Sequence, residues 1–315
     1  MTFALLCRPG FEADLIAELG AGQSPQAGLV LAEATPPFDE IVFARDVLEI
    51  RHRLPALDAK DRVTPLRAAL ATLGPLESIS VIHPDADDTR PLAPLAKALQ
   101  NRLADSAQNR GERGAVWLTG STAALVGITR GGPFPGGIAR LKFPTAAPSR
   151  STLKLDEAIQ VLLTPGERAR LFKPGMSAVD LGAAPGGWTF QLVQRGLRVI
   201  AVDNGKIDAR LLSSGKVEHR REDGFRFRAK NPVDWLVCDM VEQPSRVVAL
   251  MVEWLKTGRC RGAIFNLKLP MRKRHAAWIE ARGELIKLAR PKFRFCAKQL
   301  YHDREEITVA VVPKA

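Results

Sequence analysis

A chain of 315 residues is long enough to bury two cores, and 46% hydrophobic with 25% charged residues is the composition of a globular protein. A formal net charge of +12 and a pI near 9.9 point toward a polyanionic partner, nucleic acid before others, although charge alone leaves a merely basic surface as good a reading. No run approaches the roughly eighteen apolar residues that cross a bilayer, and Cys7, Cys238, Cys260 and Cys296 stand singly, which argues against zinc and against a disulfide framework.

In chain order, Thr2 to Arg8 reads as a strand. It has no basic leader and meets Arg8-Pro9-Gly10 at once, unlike a signal peptide, so the cytoplasm is the expected compartment and no membrane partner is expected. Phe11 to Leu19 has helical spacing, and strand-like runs follow at Gly28 to Ala34 and Glu40 to Ala44. Val63 to Leu73 reads as a helix stopped by Gly74-Pro75, Ser78 to His83 as a strand, Leu92 to Leu103 as a helix, and Ala115 to Thr119 with Ala124 to Thr129 as strands. Residues 1–130 are thus expected to form an α+β module that positions rather than reacts. Residues 131–150 are rich in Gly and Pro and read as a linker.

From 151 to 315, helices at Ser151 to Leu163, Trp188 to Arg195 and Ala277 to Leu288 alternate with strands. The strands are Ala178 to Leu181, Arg198 to Val202, Val233 to Cys238, Ala263 to Leu267, Phe293 to Gln299 and Glu306 to Val312. Strands apolar throughout and alternating with helices predict an α/β domain with a mostly parallel sheet, in which ligands sit at the carboxyl ends. Asp180, Asp203, Asp239 and Lys268 are placed at such ends.

Asp180-Leu181-Gly182-Ala183-Ala184-Pro185-Gly186-Gly187-Trp188 is a strand-to-helix glycine turn, where backbone approaches a ligand and free N–H groups face an anion. Dinucleotide folds and methyltransferases both use such a turn. The missing G-x-G-x-x-G and the rigid Pro185 favour S-adenosylmethionine over NAD, with Asp203 accepting from ribose hydroxyls. Asp223, in Glu222-Asp223-Gly224-Phe225, suits the adenine amino group, and a capping role on a surface turn is as good a reading.

A lysine ending a buried strand must be paired or functional. Lys268 and Asp239 satisfy this equally as a structural ion bridge, and Lys154 and Glu306 read as surface residues as readily as site residues. The motifs Arg150-Ser151-Thr152-Leu153-Lys154-Leu155-Asp156-Glu157, Cys238-Asp239-Met240, Asn266-Leu267-Lys268 and Glu306-Ile307-Thr308-Val309 fall in the order of the Lys-Asp-Lys-Glu tetrad of the FtsJ-like ribose 2′-O-methyltransferases. More narrowly, Phe265 to Met271 and Gln299 to Glu306 resemble the RlmM family, which methylates a cytidine 2′-hydroxyl in 23S rRNA; the likeness is strongest from Leu141 to Val312.

That resemblance implies a Rossmann-like methyltransferase domain behind a ferredoxin-like or THUMP-like RNA-binding region. It implies Lys154, Asp239, Lys268 and Glu306 as catalytic residues, Lys268 being the proton acceptor. It implies S-adenosylmethionine held by Ser151, Gly182, the Ala184 to Gly187 turn including Pro185 and Gly186, Trp188, Asp203, Asp223 and Asp239. Strand alternation lets one of Glu305 and Glu306 face the site, and the family's Glu-x-x-Val phase favours Glu306.

Arg272, Lys273 and Arg274, with Arg140, Lys142 and Arg150 in the linker, are expected RNA contacts. The expected partner is 23S rRNA or a large-subunit assembly intermediate, met by a monomer that needs no metal. The competing readings are a 2′-O-methyltransferase of another RNA, an RNA-binding assembly factor with a vestigial donor site and, more distantly, an NAD oxidoreductase.

Overall fold

A computed structural model describes residues 2–289 and 292–314. The chain divides after Ile138 into two units. Residues 131–150, expected as a linker, fall on both sides of that division, 131–138 with the first unit and 139–150 with the second.

The first unit opens with β1 (Thr2–Leu6), α1 (Glu12–Leu19), β2 (Gln23–Gln26), β3 (Leu29–Ala32) and β4 (Asp46–Leu54), paired antiparallel in the order β2-β3-β1-β4. That is the ferredoxin-like order, with a short 3-10 turn at Phe38–Glu40 where a second helix would lie. The sheet continues through α2 (Val63–Ala71), β5 (Leu76–Ile82), α3 (Ala93–Leu103), β6 (Glu112–Gly120) and β7 (Ala123–Thr129) to seven strands, β5 and β6 being parallel. The strand expected at Glu40 to Ala44 is instead an irregular buried segment. Its Val42 and Phe43 N–H groups donate to the Glu18 carboxylate at 2.7 and 2.9 Å, so the apolar run is buried without a ladder to pair with.

The second unit is a sheet with helices packed against it. Its elements are α4 (Thr152–Leu162), α5 (Pro165–Leu171), β8 (Ser177–Leu181), α6 (Gly187–Gln194), β9 (Arg198–Val202), α7 (Ala209–Leu212), β10 (Val217–Arg220), β11 (Val233–Cys238), α8 (Pro244–Lys256), β12 (Cys260–Lys268), α9 (Arg274–Ala289), β13 (Phe293–Lys298) and β14 (Glu306–Pro313). The order is β10-β9-β8-β11-β12-β14-β13, parallel from β10 to β12 and antiparallel at β14 and β13. The mostly parallel Rossmann-like sheet is therefore as the apolar strands predict. The order reverses between β8 and β11, and a crevice opens at the carboxyl ends of strands on either side of such a point.

Local sequence explains the helices that frame the crevice. In α4, Leu155, Ala158, Ile159 and Leu162 form one buried stripe against the sheet. Helix α5 starts at a capping box, Thr164 accepting from Glu167 N at 3.2 Å while the Glu167 carboxylate accepts from Thr164 N at 2.9 Å. The core below the crevice is apolar and includes Trp235 and Trp254. All four cysteines are free and buried, and no described helix is long and apolar enough to cross a membrane.

Candidate active site

Four side chains meet above the carboxyl ends of β11 and β12. Lys268 Nζ donates to Asp239 Oδ1 at 2.9 Å and to Glu306 Oε2, while Lys154 Nζ, from α4, lies 3.4 Å from Asp239 Oδ2 and pairs with Glu306 Oε1. Each carboxylate thus bridges both lysines. The reason is register: β12 and β14 pair antiparallel with Lys268 directly opposite Glu306, and a slip of one residue would put Glu305 there instead. Glu305 points away and pairs with Arg274.

Burial works to lower the Lys268 pKa, but Asp239 and Glu306 outweigh it and the net shift is upward. Lys268 therefore rests as an ammonium ion.

A second layer fixes these groups. Asn266, two residues before Lys268 and so on the same face of β12, donates from Nδ2 to Asp239 Oδ1 at 2.8 Å. Its Oδ1 accepts from the hydroxyl of Thr308, its partner across the ladder, at 2.7 Å, and that hydroxyl also lies 2.9 Å from Asp303 Oδ2. Glu157 is 1% exposed and accepts from Tyr301 N at 2.8 Å, from His302 N at 2.9 Å and, on Oε2, lies 2.7 Å from His302 Nδ1. It ties α4, which carries Lys154, to the turn that leads into Glu306. Asn266 and Thr308 were findable from their alternation with Lys268 and Glu306. No local pattern announces the link from Glu157 to residue 302.

Beside the tetrad lies a cavity of about 410 Å³ lined by Gly182, Asp203, Asn204, Asp223, Phe225 and Asp239, among others. Asp203 holds the turn, its Oδ2 accepting from Ala184 N at 3.0 Å and its Oδ1 from Gly205 N at 2.6 Å, and it keeps lone pairs for two further donors. Asp223 lines the cavity and accepts from Phe225 N at 2.8 Å, closing a turn that no helix follows, so it caps no helix. Gly182 has φ +76°, and a Cβ there would run into Met240; one at Gly187 would strike the Ser151 and Ser149 hydroxyls. Ser151 thus abuts the start of α6, and Pro185 accepts from Asp208 N at 3.0 Å through its carbonyl. A nucleoside-sized ligand fits this set: glycines let it approach the backbone, and carboxylates await hydroxyl and amino donors.

Two expected positions differ. Trp188 is 2% exposed and packs in the core against α4 and β8, so its ring contributes packing and not cavity wall. Asp180 lies inside β8 instead of at its end, accepts from Thr189 Oγ1 at 2.6 Å, and is pushed up to about 7 by burial and by the charges of Asp239 and Asp203. The expected RNA contacts also separate. Arg140, Lys142, Arg150, Arg272 and Lys273 are exposed, and Arg150 stacks its guanidinium over Phe143. Arg274 is mostly buried against Glu305, which removes it from the accessible cations.

Residues 147–305 match the family described as FtsJ-like methyltransferase. Over an alignment of 338 positions the chain is 45% identical to the ribosomal RNA large subunit methyltransferase M of Xanthomonas oryzae pv. oryzae (strain PXO99A), with 96% of each covered. It is 45% identical to the protein of that name in Stenotrophomonas maltophilia (strain R551-3), with 98% of this chain and 96% of the relative covered. It is 44% identical to that of Xanthomonas axonopodis pv. citri (strain 306), with 96% of each covered.

Proposed function

The chain belongs to the ribosomal RNA large subunit methyltransferase M family, and from that premise we propose that it transfers the methyl group of S-adenosylmethionine to the ribose 2′-hydroxyl of a cytidine in 23S rRNA or a large-subunit assembly intermediate. The observation that supports this most is the meeting of Lys154, Asp239, Lys268 and Glu306 beside the glycine-turn cavity. Gly182, Ala184 to Gly187, Asp203 and Asp223 would hold the donor. When bound, S-adenosylmethionine supplies a methyl group already activated on a sulfonium.

The chain's residues supply orientation and a base. A ribose hydroxyl is a poor nucleophile, and Lys268 Nζ accepts its proton as the oxygen attacks. Because Asp239 and Glu306 raise the Lys268 pKa, this happens through the minority neutral amine, formed by losing a proton to solvent. Lys154, pairing with the same two carboxylates, limits how far they hold that proton on Lys268. Glu306, braced by both lysines, orients the hydroxyl.

The test is Lys268→Ala under single-turnover conditions, with binding of S-adenosylhomocysteine measured in parallel. The rate is expected to fall about 100-fold or more with product-analogue affinity retained. Near-normal methylation would end the assignment of Lys268 as base.

A further inference from the structure

A groove of about 860 Å³ runs between α8 and α9 and is closed at one end by Lys268, Leu269 and Pro270. Its walls are largely apolar, with Val248, Ala249 and Val252 on one side and Ala277 and Ala281 on the other. Val241 and Glu242 line this groove and also the cavity beside the glycine turn, so the segment after Asp239 is a wall between the two. Asp239 lines the cavity on one side of that wall, and Lys268 lines the groove on the other.

We propose that this groove receives the nucleobase of the acceptor nucleotide, turned out of its stack. The proposal rests on the methyl-transfer reading above, and three observations support it. First, the tetrad is recessed: the side chains of Lys268, Asp239 and Glu306 are 23%, 16% and 7% exposed, so although a duplex displays its 2′-hydroxyls in the shallow minor groove, its flanking nucleotides would hinder one ribose from reaching down to the site. Second, the base is attached to the sugar carbon next to the one bearing the reacting hydroxyl. With that hydroxyl at Lys268 Nζ the base lies within a few bond lengths of Lys268, and Lys268 lines the groove.

Third, the chemistry divides correctly. Glu242, Glu253, Glu280 and Glu284 line the groove together with Lys256 and Lys268, and a carboxylate accepts well from an exocyclic amino group. Three of these glutamates are neutralised by Arg246, Arg228 with Arg259, and Lys287, while Glu280 has no ion pair among the described residues. Exposed Arg272 and Lys273 come two and three residues after Pro270, where the flanking phosphates of an extruded nucleotide would lie. Val241, 87% exposed, and Met271, 72% exposed, offer apolar surface next to the groove and just past Pro270.

The experiment starts with the wild-type protein and an unmodified rRNA fragment, and maps the methylated nucleotide. Ala249→Trp, on an exposed α8 position, and Ala277→Trp, on α9, then fill the groove from opposite walls. Each is expected to bind S-adenosylhomocysteine as the wild type does and to lose about 100-fold in kcat/KM for RNA through misplacement of the acceptor. With 5-iodocytidine at the mapped position, photo-cross-links are expected in residues 241–256 or 277–284. Undiminished methylation by both tryptophan variants, or cross-links confined to other segments, would overturn the groove assignment. A wild-type protein that leaves no methyl on ribose would overturn the underlying reading and the groove with it. That failure is recognised before any substitution is made.

Discussion

Glu306 is shared by two ammonium groups, and that sharing sets the acid–base behaviour of the site. Lys268 titrates above its ordinary value near 10.5, so at neutral pH only a small fraction is the neutral amine that the proposed base role requires. The single-turnover rate is therefore expected to rise about tenfold per pH unit from roughly pH 6.5 to 9, without a plateau. The sign for stability runs the other way. A lysine whose folded pKa is raised contributes stability that is fully present below its unfolded value and is lost as pH rises through its folded one, so the ion network stays intact across that window. A rate that levels off near neutrality would contradict Lys268 as the base. Of the residues in this network, the four charged ones were recognisable as a set through the ordered motifs. The sign of the Lys268 shift was not, since it follows from distances to two carboxylates that no spacing encodes.

At the scale of elements, β14 delivers Glu306 and α4 delivers Lys154, and Glu157 joins them by holding the turn at Tyr301 and His302. Glu157→Ala leaves two backbone N–H groups unsatisfied and is expected to cost about 1–3 kcal/mol of stability. It should also lower kcat while sparing donor affinity, with Glu157→Gln intermediate. A Glu157→Ala protein with unchanged kcat, by single-turnover rate beside a thermal melt, would remove the turn from the site's support. The strands that carry the site were legible because β8, β9, β11, β12 and β14 are apolar nearly throughout. The edge strand β2, Gln-Ser-Pro-Gln, is polar and leaves no such signal. Ile41 to Ala44 misleads for the opposite reason, an apolar run whose backbone partner is the distant Glu18. The Trp188 side chain was not placed by the motif, because the helix that starts at the glycine turn points its first aromatic side chain into the core.

For the whole molecule, a net charge of +12 and five exposed cations at the expected contact positions would attract a polyanion through long-range electrostatics. Affinity for an rRNA fragment is expected to fall steeply with salt, and replacing Arg150, Arg272 and Lys273 with alanine should flatten the log–log slope by about 0.7 per single-strand phosphate contact removed. A nearly flat response in the unsubstituted protein would count against these residues as the RNA track. Composition favours a polyanionic partner no more than a merely basic surface, and it does not tell which cations are accessible. Arg274, adjacent in sequence to two exposed ones, is mostly buried against Glu305.

The central claim is that the methyl group goes to a ribose oxygen, and one measurement meets it directly. Unmodified large-subunit rRNA is incubated with the protein and S-adenosylmethionine, digested, and its fragments sequenced by mass spectrometry. A single methyl group on the ribose of a cytidine is the expected result. Methyl on a base, with the riboses unmodified, would contradict the account.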